Sequence, residues 1–203
     1  MRRVVILALL ALVLPIAAWA DTIDITNQYG PVSLSMGGIS VKSEMREFNG
    51  VWAPHGEALG YVSFGTGAFT GSALKGNGTF SSVGSWFDIF GWVKSDKSLK
   101  HPVMIFTGSF FGPIDWTMTS PAGSHRLTFT LTGDIRGMLY NGHEASGTTT
   151  QYFYSTTSQM NRGILHLSGG VTHLSTAPEP GTLGLLGTGL VGIAGIFRRR
   201  KSA

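Results

Sequence analysis

Cysteine is absent from this sequence of 203 residues. Its absence excludes a disulfide framework, thiol catalysis and a cysteine-based zinc site. The chain also lacks the Gly-x-Ser-x-Gly elbow of serine hydrolases and the Gly-x-x-x-x-Gly-Lys-Ser/Thr loop that binds nucleotide phosphates. Several of the commonest catalytic architectures are therefore excluded before the remaining residues are considered.

Charge is sparse, since charged residues make up 13% of the chain. Residues 21–177 contain nine Lys and Arg against ten Asp and Glu, a net charge of −1. The formal net charge of +4 therefore arises at the two ends of the chain. A basic isoelectric point with this origin gives no indication of nucleic-acid binding.

Long apolar runs occur at the two ends of the sequence. Two arginines precede the apolar run Val4–Ile16, and Ala18 and Ala20 then provide the small-x-small pattern of a cleavage site. This arrangement predicts a signal peptide over residues 1–20. The alternative is an uncleaved N-terminal anchor.

The second apolar run, Gly181–Phe197, contains no charged residue. As a helix it measures about 25 Å, which is at the short end of what crosses a bilayer. We predict a transmembrane helix over 181–197 and a basic cytoplasmic tail over 198–203, because cationic residues stay on the cytoplasmic side. The basic cluster that stops transfer consists of Arg198, Arg199, Arg200 and Lys201.

A Pro-Glu-Pro tripeptide, Pro178, Glu179 and Pro180, closes a short linker over residues 175–180. Each proline prevents a helix from extending upstream, so Glu179 is expected on an extended, accessible segment. The tripeptide, the apolar run and the basic cluster, in this order at the C-terminus, resemble the PEP-CTERM sorting domain of Gram-negative bacteria. The alternative is a plain single-pass membrane anchor.

The resemblance implies a destination and a partner. The precursor would insert transiently into the membrane through its tail and be processed by an exosortase-type enzyme. The mature protein would be exported to the cell surface or to the extracellular, exopolysaccharide-containing matrix. The resemblance covers residues 177–201 alone and implies nothing about the rest of the chain.

The central part of the sequence shows the two-residue period of β-strands. Ile114, Trp116 and Met118 alternate with polar residues, as do Leu127 and Phe129. About ten such short strands, separated by turn residues, favour an all-β domain over residues 21–174. We expect a single antiparallel β-sandwich of the jelly-roll kind.

Local patterns predict individual turns and elements within this domain. Strands Ile114–Thr119 and His125–Thr132 are expected to form a hairpin, and Ser43–Phe48 is predicted as one helical turn. Asn-Gly pairs are typical of tight turns because both residues tolerate positive φ. These pairs are Asn49–Gly50, Asn77–Gly78 and Asn141–Gly142.

Candidate catalytic and metal-binding groups are dispersed. His166 and His173 flank Gly169–Gly170, where a turn between two strands would bring the rings together, but their spacing is not that of a zinc motif. A glycosidase would need two facing carboxylates, for which the candidates are Asp88, Asp115, Asp134 and Glu144. The sequence pairs none of them, so we predict no catalytic residues, no metal and no cofactor.

Aromatic residues support the strongest alternative function. Tyr152 and Tyr154 share the strand face opposite Phe153, so they are candidates for stacking against sugar rings at the protein surface. Trp116, in phase with Ile114, is expected in the core. The sequence thus favours a non-enzymatic structural or interaction protein. A carbohydrate-binding module is the first alternative, and a secreted glycan-active enzyme is the second.

Overall fold

Strands predominate in the computed structural model, which describes residues 22–71, 77–92, 102–119 and 125–176. The strands are β1 (Thr22–Gln28), β2 (Val32–Ser35), β3 (Gly38–Phe48), β4 (Val51–Trp52), β5 (Gly60–Gly65), β6 (Phe69–Gly71), β7 (Asn77–Phe80), β8 (Trp86–Gly91), β9 (Val103–Thr119), β10 (Arg126–Leu139), β11 (Glu144–Thr156) and β12 (His166–Thr176). A single turn of helix, α1 (Thr157–Met160), joins the last two strands. The predicted all-β class is confirmed.

Eight of the strands form a closed antiparallel sheet. β1, β3, β5, β8, β9, β10, β11 and β12 are neighbours in chain order around it. β12 then pairs with β1, with Ser175 opposite Thr22 and Gly170 opposite Asn27. The molecule is therefore an up-and-down β-barrel in which each long strand follows its predecessor around the wall.

The closed sheet corrects the prediction of a β-sandwich or jelly roll. A sandwich consists of two stacked sheets, whereas here the hydrogen-bonded path from β1 returns to β1 without a break. The same alternation of apolar and polar residues serves both architectures. In this chain the apolar face lines the inside of one closed wall.

The short strands extend the wall at its margins. β2 and β4 both pair with β3. β8 pairs with the first part of β9, and β7 pairs with its last part, from Ile114 to Thr117. The antiparallel pair of β6 and β7 therefore takes over the position of β8 beyond Trp86, the residue at which β8 begins.

The 17-residue strand β9 bends in its middle. Between Phe111 and Asp115, three residues of β9 lie opposite the single residue Gly133 of β10. Gly112 there has a positive φ of 86°, and Pro113 has no N–H to donate to a ladder. This bulge lets one strand follow the curvature of the barrel over its whole length.

Large apolar side chains fill the barrel. One group of rings surrounds Phe87, which makes edge-to-face contacts with Phe106 and Phe110. A second group surrounds Trp116, which stacks on Phe129 with centroids 4.8 Å apart. Eight-stranded barrels are just wide enough for side chains to fill, and these rings do so. The expectation that Trp116 belongs to the core is confirmed.

A polar network crosses part of the barrel interior. Asn27 Nδ2 donates to Ser43 Oγ at 2.8 Å and to Gln151 Oε1 at 2.9 Å. Gln151 Nε2 donates to Thr149 Oγ1 at 2.8 Å, and that hydroxyl lies 2.9 Å from Thr172 Oγ1. All five side chains are buried, so the network satisfies groups that would otherwise be costly to bury.

Several local predictions can be compared with the structure. Asn49–Gly50 and Asn141–Gly142 lie in turns, with positive φ at both residues of the first pair and at Gly142. Asn77–Gly78 does not form a turn, because both residues belong to β7. The predicted helical turn at Ser43–Phe48 is also wrong, since this segment lies within β3.

Candidate functional site

Both predicted targeting segments fall outside the described residues. These comprise the signal peptide over 1–20 with Ala18 and Ala20, and the transmembrane helix over 181–197. The Pro178–Pro180 tripeptide and the basic cluster lie outside the described ranges as well. In the part of the chain that the structure describes, no helix has the length and apolar character needed to cross a membrane.

Tyr152 and Tyr154 project from the outer face of β11, on the side opposite the buried Phe153, as predicted. Their surroundings differ. Tyr154 is half-buried, with the ring of His166 stacked at 5.1 Å and the guanidinium of Arg126 lying 4.3 Å from its centroid. Tyr152 is 47% exposed, so it is the better candidate for stacking on an external ring.

Hydroxyl-bearing residues lie beside Tyr152 on the outer wall, on the side of β10. The strand register places Tyr152 opposite Thr130 and Thr130 opposite Thr117, which in turn lies opposite Asn77. A parallel row contains Thr150, Thr132, Asp115 and Thr79. We call these two rows the threonine face; they follow from the threonine-rich alternation of β10 and β11.

The candidate carboxylates do not form a pair on this wall. Asp115 lies opposite Thr132, and Asp134 lies opposite Phe111. Asp88 accepts a hydrogen bond of 2.7 Å from the hydroxyl of Thr107. These contacts are those of side chains on the outside of a sheet.

The two histidines are separated by the strand that contains both. β12 runs through Gly169 and Gly170 without reversing, so the idea of a turn that brings His166 and His173 together is wrong. His173 Nδ1 lies 2.6 Å from Asp24 Oδ1, across the seam between β12 and β1. Within the described ranges, no three His, Asp or Glu residues cluster as metal ligands would.

One end of the barrel contains an apolar pocket of about 580 Å³. Here β3, β8 and β10 end while β5 and β9 begin, because neighbouring strands are antiparallel. The inner part is lined by Met45, which is 1% exposed, and by the partly buried Leu59 and Ile105. We call this cavity the barrel-end pocket.

The outer part of the barrel-end pocket is lined by residues at strand ends. Trp92 follows β8 and is 47% exposed, and Tyr140 follows β10 and is 78% exposed. Val103 and Met104 at the start of β9 also line the pocket, as do Phe48 and Val51. The described lining residues include no carboxylate and no histidine.

Sequence reasoning did not identify the barrel-end pocket. The available signal was a large aromatic residue just after a strand, beside a turn or loop, where small polar residues are usual. Tyr140 directly before Asn141–Gly142 is such a residue, and Trp92 after Gly91 is another. Their convergence depends on barrel closure, which the period-two pattern does not reveal.

Comparison with known proteins bears on the C-terminal segment. By its fold the chain is an all-β barrel protein. A family model described as the PEP-CTERM protein-sorting motif matches residues 176–201. The chain therefore carries this motif, as the resemblance of its tail indicated. No curated protein matches the chain, and no solved structure does.

Proposed function

We propose that this protein is exported, processed by an exosortase-type enzyme through its C-terminal motif, and retained at the cell surface or in the surrounding matrix as a non-enzymatic interaction module. The observation that carries the proposal is the sorting motif at residues 176–201, which begins at Thr176, the last residue of β12. The leader with its small-x-small site supports export.

The test is the intact mass and location of the protein isolated from its host, in the wild type and in Glu179→Ala. In the wild type we expect loss of residues 1–20 and of the segment near and beyond Pro178. The Glu179→Ala variant should retain its tail and accumulate in the membrane fraction. Glu57→Ala, which removes an exposed carboxylate from the barrel, is the matched control and should be processed normally.

An identical uncut tail in the wild type and in Glu179→Ala would overturn the proposed sorting. The protein would then be a single-pass membrane protein. A tail removed equally well from both proteins would instead show that processing does not read Glu179.

The proposed absence of catalysis rests on the placement of ionisable groups. Asp88, Asp115 and Asp134 lie on the outer wall, and the barrel-end pocket has no acid or base among its described lining residues except the Tyr140 phenol. Reproducible glycan hydrolysis by the purified protein, abolished by substitution of a single carboxylate, would establish the enzymatic alternative instead.

Carbohydrate binding is the second candidate, and the exposed ring of Tyr152 within the threonine face favours it. An aromatic face packs against the C–H groups of a sugar, and flanking hydroxyls and a carboxylate can bond its hydroxyls. We expect Tyr152→Ala to weaken retention on exopolysaccharide from the host about tenfold, which corresponds to about 1.4 kcal/mol. Trp52→Ala removes an exposed ring from β4, which pairs with β3 outside this face, and should change nothing. Equal retention of both variants would eliminate this candidate.

A further inference from the structure

The barrel-end pocket is graded from an apolar interior to an amphipathic rim. Met45, Leu59 and Ile105 present aliphatic and thioether groups in its inner part. Trp92 and Tyr140, the aromatic residues of the rim, each combine a large apolar ring with one polar group. Such aromatic residues are favoured where one end of a bound group is apolar and the other is wet.

Backbone hydrogen bonds fix the lining of the pocket. Leu59 N donates to Met45 O at 2.9 Å, and Trp92 N donates to Leu59 O at 2.8 Å. Tyr140 N donates to Ile105 O at 2.9 Å. Each bond joins two lining residues from different strands or strand ends, so the cavity is part of the folded wall and is preformed.

The dimensions suit a small molecule. A volume of about 580 Å³ lies within the usual range of ligand pockets, roughly 300–1,000 Å³. A single hydrocarbon chain of moderate length fits, whereas the fold of a second protein does not.

The lining also constrains the chemistry of the occupant. None of its described residues is charged at neutral pH, so an ion drawn into the inner part would lose its hydration without gaining a partner. Met45 and Met104 add flexible, polarizable side chains, which adapt to a chain better than to one rigid shape. The inner part of the barrel-end pocket therefore favours aliphatic groups, and the rim accommodates a polar group.

We propose that the barrel-end pocket binds the hydrocarbon tail of a single-chain amphiphile, with the tail against Met45, Leu59 and Ile105 and the head group at Trp92 and Tyr140. This inference goes beyond the proposed function and does not depend on how the tail is sorted. It also concerns a surface that is separate from the threonine face.

The test uses n-decanol as the probe and isothermal titration calorimetry on the protein as isolated from its host. We expect one binding site, a dissociation constant on the order of 10 μM and a negative heat-capacity change, the mark of apolar burial. 1,10-Decanediol should bind at least about tenfold more weakly, because one hydroxyl must enter the apolar interior.

Two substitutions locate the binding. Val103→Trp places a large ring at the pocket. Trp92→Ala removes a residue of the rim. Each substitution should raise the dissociation constant for decanol at least about tenfold. Val83→Trp adds the same ring at an exposed position that does not line the pocket and should leave the constant unchanged. Circular dichroism confirms that each variant is folded.

Three results would overturn the proposal: no heat of binding with decanol, equal affinity for decanol and the diol, or the same constant in Val103→Trp as in Val83→Trp. Failure of Glu179→Ala to block processing would leave these outcomes unaffected. The two proposals can therefore fail independently.

Discussion

Gln151 shows how a single polar residue is accommodated inside an apolar barrel. Its side-chain amide bonds to Asn27 and Thr149, and space for it exists because residue 170 on the neighbouring strand is glycine. A β-carbon added at Gly170 would overlap the side-chain amide of Gln151. The amide cannot simply move away, because leaving its partners would orphan buried polar groups.

We predict that Gly170→Ala lowers the free energy of unfolding by about 1–3 kcal/mol through this overlap. Gln151→Ala should also destabilise, because it leaves the side chains of Asn27 and Thr149 with lost partners. The loss in the double variant should be smaller than the sum of the two single-variant losses by at least about 0.5 kcal/mol. Urea denaturation of the four proteins measures this coupling, and strictly additive losses would show that the overlap is relieved elsewhere.

Residue roles that depend on alternation were predictable, and those that depend on closure were not. The facing directions of Phe153 and Tyr152 follow from period two, and the structure agrees. The partnership of Gln151 with Asn27 joins residues 124 positions apart and depends on which strands become neighbours. Nothing in the local sequence of either residue encodes that contact.

At the scale of elements, the segment Ile114–Thr119, which was predicted as a strand of its own, is the last part of the 17-residue strand β9. Gly112 and Pro113 interrupt the alternation of apolar and polar residues. They predict a boundary between two strands, because both residues are typical of turns. In the structure they form a bulge, and pairing with β10 resumes on both sides of it. The predicted hairpin is confirmed by the pairing of Thr119 with Thr128, although residues 120–124 between the strands are not described.

The bulge requires a positive φ at Gly112, and this requirement can be tested by substitution. An added β-carbon would meet no atom within 4 Å, so any cost of Gly112→Ala comes from its positive φ alone. We expect a loss of about 1–2 kcal/mol in the free energy of unfolding. Gly112→Asn should cost less, because asparagine tolerates this region of φ.

Gly37→Ala is the control for that substitution. Gly37 lies in the turn between β2 and β3, its φ is outside the left-handed region, and the nearest atom to an added β-carbon is at 3.6 Å. Its stability should stay within about 0.5 kcal/mol of the wild type. If thermal or urea unfolding shows equal losses for Gly37→Ala and Gly112→Ala, the φ argument is wrong.

At the scale of the whole molecule, the sequence predicted an all-β protein but not its closure. Sandwich and barrel use the same strand lengths and the same inward-facing residues, so their difference lies in which strands pair. The decisive pairing joins Thr22 and its neighbours to Ser175 and its neighbours, at opposite ends of the described chain. By contrast, the sorting tail was predictable because its signal is linear and contiguous.

The pairing of β1 with β12 has a consequence for the chain as a closed ring. Because Thr22 lies opposite Ser175 and the eight barrel strands follow one another in order, the ring that they form has no first or last strand. A circular permutant should therefore fold, with Ser175 linked to Thr22 by a few glycines and new ends opened between Met36 and Gly37.

We expect the permutant to keep the far-UV circular dichroism of the parent and to unfold in one cooperative transition. A permutant that is unfolded in solution, or that aggregates, would show that the barrel folds only with its natural order of strands along the chain. A permutant that folds would show that the barrel accepts a chain that begins at a different strand, so that closure of the sheet specifies the fold and the position of the chain ends does not.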